Sequence, residues 1–276
     1  MTISTVFAYR DDGPMSILTK WKPRRVECTK TYNHEDVPGE MFVVKYACNK
    51  QSCACAISEL VCTQLIARVG VRTLSPWIVK VNSGFAASCN LKSDFPYPIS
   101  AGEHFGTSLE TDVENGPPIA LEDLAEPWDL VLLWVADTWI GNIDRPTDGN
   151  ILLKYAGNGM YHLVAADQSD CFCGADLFCS EGFPDGYLKR RTASAPQILP
   201  AAIAKTGGKQ AVTRAITRVQ SVITHVPEII STVPSAWWGL GSIQPDTLRS
   251  SLFARSKELP TILRPEMWEL PNDLLF

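Results

Sequence analysis

The stretch WDLVLLWVADTWIGNIDRPTDGNILLKYAGNGMYHLVAADQSDCF, Trp128 to Phe172, decides the reading of this chain. Its first part, Trp128 to Ile140, is an apolar run long enough for a buried helix, and Gly141 with Asn142 then stops it. A polar loop from Asn142 to Asn150 follows. Two short apolar runs come next, Ile151-Leu152-Leu153 and Tyr161 to Ala166, separated by Ala156-Gly157-Asn158-Gly159. The Asn-Gly pair is a strong hairpin signal because both residues tolerate positive φ. Asn150 precedes the first strand and Asp167 follows the second, so closing the hairpin brings both to its open end, beside the loop that carries Asp144. Two carboxylates and an amide converging there would make a hard-cation site, suited to Mg²⁺ shared with phosphate oxygens. The plainer alternative is a hairpin whose ends are polar because they are wet.

Working outward, the chain has 276 residues, 45% hydrophobic and 20% charged, ample for one large or two modest domains. A net charge of −5 gives no basic footprint for nucleic acid. The sequence reading finds no apolar run near the roughly 20 residues of a membrane span, and no secretory signal in MTISTVFAYRDDG. Nine cysteines, an odd number without paired C-x2-C spacing, point to reduced thiols in a cytoplasm rather than a disulfide framework or a zinc site.

Residues 1 to 46 read as strands and turns, with Val26 to Lys30 one candidate and Met41 to Tyr46 the best. Ala54 to Val69 carries a helical apolar stripe at Ile57, Leu60, Val61, Leu65 and Ile66, closed by Gly70. Lys45 ends the strand and Glu59 lies in the helix. A lysine on a strand paired with a glutamate on the next helix can be aimed at ATP phosphates. Read separately, they are an exposed strand end and a solvated helix residue. From Asn82 to Pro127 the chain is rich in Gly, Pro, Ser and Asp and reads as a connection, with a hinge before or around Gly102 to Gly106. Glu122 to Glu126 reads as a short acidic helix start. No G-x-G-x-x-G or G-x-x-x-x-G-K-[ST] is present, and Gly13-Pro14-Met15-Ser16 is the nearest thing to a phosphate-covering turn. Lys189-Arg190-Arg191 before Thr192 and Ser194 has the look of a phospho-acceptor context. The remainder is helical: Ala201 to Ala204, Ala211 to Thr224 with Arg214 and Arg218 one turn apart, and a helix through Leu252. Gly207-Gly208 and the prolines at 227, 234, 245 and 260 are expected to break the region into short pieces.

Asn142-x-Asp144-Arg145, Asn150-Ile-Leu-Leu and Asp167-Gln-Ser169 before Cys171-Phe172 resemble the catalytic loop and metal-binding strand of HipA-like kinases. Val43-Val44-Lys45, the Glu59 helix, Gly70-Val71 and the strand Trp77 to Val81 are similar to the front part of that family. Val233-Pro-Ser-Ala-Trp237-Trp238 is similar to its C-terminal part. The resemblance implies an α+β, two-lobed protein-kinase-like fold: a β-rich N-lobe over residues 1–105 and a mainly helical C-lobe over 106–276. It implies a proton-accepting Asp144, an ATP-holding Lys45 oriented by Glu59, and Mg²⁺ ligands at Asn150 and Asp167. The expected reaction is γ-phosphoryl transfer from ATP to a serine or threonine hydroxyl, with a protein as the default acceptor. Two features depart from the family: Pro146 stands where a His is usual, and Asn150 lies six residues after Asp144 rather than five. They motivate the alternatives of a nucleotide-binding pseudokinase or partner-regulated scaffold, and AMP transfer from the same site is a third.

Overall fold

The computed structural model describes residues 6–9, 24–28, 30–31, 41–47, 50–92, 98–110, 112–115, 120–145, 149–174, 198–241 and 244–263. The turn at Gly13–Ser16, the residues Pro146 and Asp148, and the Lys189–Ser194 segment lie outside them. The fold is mixed α and β, with a six-stranded and a four-stranded sheet and, toward the C-terminus, helices.

The larger sheet runs β2-β6-β7-β4-β1-β3, built from β1 (Val6–Tyr9), β2 (Arg24–Cys28), β3 (Lys30–Thr31), β4 (Met41–Lys45), β6 (Pro76–Val81) and β7 (Gly102–Ser108). The single candidate strand at Val26 to Lys30 is thus two strands on opposite edges. Only the β2–β6 pairing is parallel. Side chains alternate across the sheet. Phe42, Val44, Trp77, Val79 and Val81 pack on one face under α2 (Ser83–Lys92), with Phe85, Ala86 and Cys89. Ile78 and Phe105 belong to the core on the other face, where α1 (Lys50–Val69) lies. Lys45, one step past Val44, is therefore on the α1 side of the strand.

The Gly102 to Gly106 stretch, before or around which a hinge is expected, belongs to β7, a strand between β6 and β4 that crosses residue 105. Gly106 is there for close approach rather than for a turn. A Cβ at that position would come within 2.6 Å of Val79 Cγ2. α2 was likewise missed in the same Ser- and Gly-rich stretch, and the acidic segment forms only a short 3₁₀ turn, Leu121–Asp123.

α1 is not a one-sided stripe. From Cys53 to Ile66 every residue except the half-buried Cys55 is buried, polar ones included, as expected of a helix wrapped on all sides. By length and composition Ser52–Val69 would qualify as a membrane span, contrary to the sequence reading, yet 83% of it is buried inside the fold. It packs against the sheet, α3 (Pro127–Ile140), α5 (Lys209–Val222), α6 (Val226–Ser231) and α7 (Ser235–Gly241). Gly70, at φ +115°, releases the chain, and Arg218 donates to the carbonyls of Val69 and Arg68 at 2.7 and 3.1 Å, covering the helix end. α4 (Leu199–Thr206) and α5 are split at Gly207-Gly208 as expected. Pro227, Pro234 and Pro245 fall at helix starts, whereas Pro260 lies inside α8 (Pro245–Ile262).

The smaller sheet runs β5-β10-β9-β8, with β5 (Arg72–Thr73), β8 (Val113–Asn115), β9 (Ile151–Gly157) and β10 (Met160–Ala165). The hairpin β9–β10 turns at Asn158-Gly159 with positive φ at both, as its sequence demands. β5 pairs in parallel with β10, Val164 opposite Arg72. The strand that leaves α1 is thereby fastened to the strand that leads to Asp167.

Candidate active site

That fastening decides which side chains meet. Lys45 Nζ at the end of β4 contacts Glu59 Oε1 on α1 and lies 2.7 Å from Asp167 Oδ1 just beyond β10. Two consecutive elements and a third far along the chain converge on one ammonium. The Lys45, Glu59 and Asp167 side chains are 16%, 3% and 25% exposed, so the cluster sits at the edge of solvent with Glu59 at its dry end. Burial would lower the Lys45 pKa, but the two carboxylates outweigh it and the ammonium is held firmly. Burial pushes the Glu59 carboxyl up to about 7, against the pull of Lys45. Burial also acts to raise Asp167, yet the Lys45 charge and its hydrogen bond, with help from Ser169, bring it well below the usual carboxylate range.

Asp167 adopts φ +46°, a left-handed conformation outside glycine's usual monopoly that Asp tolerates better than most. Ser169 contacts its carboxylate, donating to Oδ1 from its backbone N–H at 3.2 Å and from its hydroxyl at 2.5 Å. Phe172, fully buried, is also left-handed at φ +56°. Two such residues within six positions mark a segment held by its surroundings rather than by local preference.

The loop after α3 forms the other half. Gly141 takes the left-handed cap at φ 66° and ψ 41°, and Asn142 N–H then bonds Asp137 O at 2.9 Å. Asn142 Oδ1 accepts from the Asp144 N–H at 3.0 Å. Asn150 turns its amide nitrogen to Asp144, donating to the backbone oxygen at 2.6 Å and to Oδ2 at 3.1 Å. Asn150 O accepts from Ala166 N–H at 3.1 Å, closing the hairpin base next to Asp167. The five expected site residues thus fall into two contact groups, Lys45–Glu59–Asp167 and Asp144–Asn150, joined through that base.

Some neighbours of the site have no role assigned by the sequence, Arg145 among them although it stands in the Asn142-x-Asp144-Arg145 motif. Arg145 is buried and donates five times: to Asp137 Oδ2 and Oδ1 at 2.8 and 2.9 Å, to Asn150 O at 2.6 Å, to Ala166 O at 2.7 Å, and to Gln168 Oε1 at 2.6 Å. The available signal was Asp137, a charge inside an apolar run that must find a partner when buried. Asp170 is raised by burial and then by the charges of Asp144 and Asp167. Cys55, one helical turn before Glu59, has its thiol pushed up to about 12 by burial and then by Asp170.

Among the described residues no group of three or more His, Cys, Asp or Glu side chains forms a metal cage. Among the described residues, Cys55, Cys62 and Cys171 are free thiols.

No family model and no curated protein matches the sequence. Among solved structures, that of a Helicobacter pylori proinflammatory kinase, CtkA, is similar at 13% identity and a TM-score of 0.45, over 84% of this chain and 86% of that one.

Proposed function

We propose that this chain is a two-lobed, HipA-like phosphotransferase that uses ATP and Mg²⁺ to phosphorylate a serine or threonine hydroxyl, with a protein as the acceptor. The observation that carries the reading is the Lys45 ammonium held between Glu59 and Asp167, each from a different element. A strand lysine aimed by a helix glutamate, beside a carboxylate at a hairpin base, is the arrangement that phosphoryl transfer of the protein-kinase type uses.

Lys45 would hold the nucleotide's phosphate oxygens, with Glu59 fixing where its ammonium points. Asn150 and Asp167 are oxygen donors suited to a hard cation. The contacts of Asp167 with Lys45 and Ser169 fall on Oδ1. The mutual charge of Asp144, Asp167 and Asp170 favours a cation in the same place. Two protein ligands are few, as is usual for Mg²⁺, which keeps water and phosphate in its shell. When bound, Mg²⁺ supplies neutralisation of phosphate charge. Asp144 orients the acceptor hydroxyl and takes its proton, and Asn150, donating to Asp144 Oδ2, holds that carboxylate in one orientation.

Incubation with labelled ATP, Mg²⁺ and a mixture of candidate protein acceptors tests the reading. The native chain transfers label, whereas Asp144→Ala and Asp167→Ala do not; equal labelling by all three rejects the assigned roles. A second reading, a nucleotide-binding pseudokinase, is favoured by Lys45 being already bonded to Asp167 Oδ1. A rise in melting temperature with ATP and no transfer by the native chain selects it.

A further inference from the structure

Asp144 and Asn150 are separated by five intervening residues, yet the Asn150 amide reaches both the backbone and the carboxylate of Asp144. Hydrogen bonds between those two residues cannot by themselves set where the pair stands relative to Asp167. Arg145 can. One guanidinium nitrogen, Nη1, binds Asn150 O and Ala166 O, the carbonyls at the base of the two hairpin strands, and Ala166 directly precedes Asp167. Nη2 binds Gln168 Oε1, the residue directly after Asp167. Nε and Nη2 take the two oxygens of Asp137, which anchors the whole fork to α3.

Gln168 shows how strongly this fork commands its neighbours. Its side chain is fully buried and gives its oxygen to Arg145, while its amide nitrogen has no hydrogen-bond partner among the described residues. Arginine has only donors, so no other orientation of the amide would serve it.

We propose that Arg145, clamped by Asp137, is the positioning residue that sets Asp144, Asn150 and Asp167 in one constellation, a role that rests on the phosphotransfer reading above. Lysine could keep the charge but not the planar fork that reaches five acceptors at once.

The test separates positioning from mere structural support by restoring the structure without the guanidinium. Thermal stabilisation of the full chain by ATP is followed as Mg²⁺ is titrated. Arg145→Met leaves Asp137 buried without its partner, lowering the melting temperature and weakening the Mg²⁺ response together. The double variant Asp137→Leu/Arg145→Met removes both charges, so its ligand-free melting temperature returns close to native. Its half-saturating Mg²⁺ concentration is expected to stay raised about tenfold or more, as for lost outer-sphere support of metal ligands. A double variant with native Mg²⁺ dependence overturns the proposal. Should that variant not fold, Arg145→Lys serves: a raised half-saturation supports the role, and a native one removes it. Asp167→Asn is the control. If it keeps the native Mg²⁺ response, or the native chain has none, the phosphotransfer reading itself fails. If it loses the response while the double variant keeps it, only the Arg145 proposal fails.

Discussion

Two ion pairs lie at the heart of this molecule, and they are built on opposite principles. Asp137–Arg145 is sealed, with side chains 1% and 3% exposed, and is formed by residues eight apart on one helix and its following loop. Lys45–Glu59 joins a strand to a helix, shares its ammonium with Asp167, and keeps a wet side. The first pair has every guanidinium nitrogen bonded to protein, so it holds a shape. The second gathers two carboxylates on one cation at the solvent edge, where the ammonium can be re-shared with an incoming anion. One is suited to fixing geometry and the other to meeting a ligand.

The largest stability effect should therefore come from the sealed pair. Arg145→Met leaves an uncompensated charge in the core and should cost about 3–5 kcal/mol, read as a fall in the urea midpoint with little change in slope. Lys45→Met should cost less, roughly 1–2 kcal/mol, because Glu59, already raised to about 7, can take up a proton instead of remaining a bare charge. It should nevertheless lower phosphoryl transfer by about 10²–10³. If Lys45→Met proves the more destabilising of the two, the division between a pair for shape and a pair for ligand collapses.

Acidity should distinguish the pairs next. Glu59 is raised from 4.5 to about 7 by burial, so the folded state binds its proton more tightly than the unfolded chain. Its contribution to stability is fully present below about 4.5 and is lost as pH rises through 7. On the proposed reading function runs the other way, since a protonated Glu59 would no longer aim Lys45. ATP-dependent stabilisation should rise with pH through a midpoint near 7, and Glu59→Gln should flatten that dependence. Asp129, also raised to about 7 by burial and then by Glu126, titrates in the same window. The native-minus-Glu59→Gln difference isolates Glu59 from it. A native profile in the Gln variant would show that the pair does not control the site.

The same contrast explains what could be read without coordinates. The hairpin with its Asn-Gly turn and the break at Gly141 depend on neighbours in sequence, and the expected elements are found there. Lys45 meeting Glu59 depends on one strand and the helix after it, close enough to anticipate from a pattern. What could not be read was whatever needed a third element. Gly106 looked like punctuation, because its reason lies across the sheet in Val79. The short pairing of β5 with β10, which brings α1 to the Asp167 strand, leaves no periodic mark in two residues. Arg145 was visible as a letter beside Asp144, but its partners at Ala166 and Gln168 lie about twenty residues on. Buried charges inside apolar runs are the exception, since Asp137 announces that a cation must be found for it.

The finest test of the comparison concerns Ser169, whose hydroxyl donates to Asp167 Oδ1 at 2.5 Å on the same atom that holds Lys45. Removing it by Ser169→Ala leaves the backbone N–H contact and the ion pair in place. The loss in stability should be small, about 1.5 kcal/mol, the low end for one hydrogen bond to a charged acceptor. Ser169 also helps hold the Asp167 pKa down, so without it the carboxyl should titrate at a higher pH while remaining ionised at neutrality. The effect should then be confined to the wet cluster: a few-fold rise in half-saturating Mg²⁺, with the urea midpoint nearly native. A change of tenfold or more would mean that the left-handed Asp167 depends on Ser169 rather than on the Lys45 bridge. In that case the wet cluster would be no softer than the sealed one.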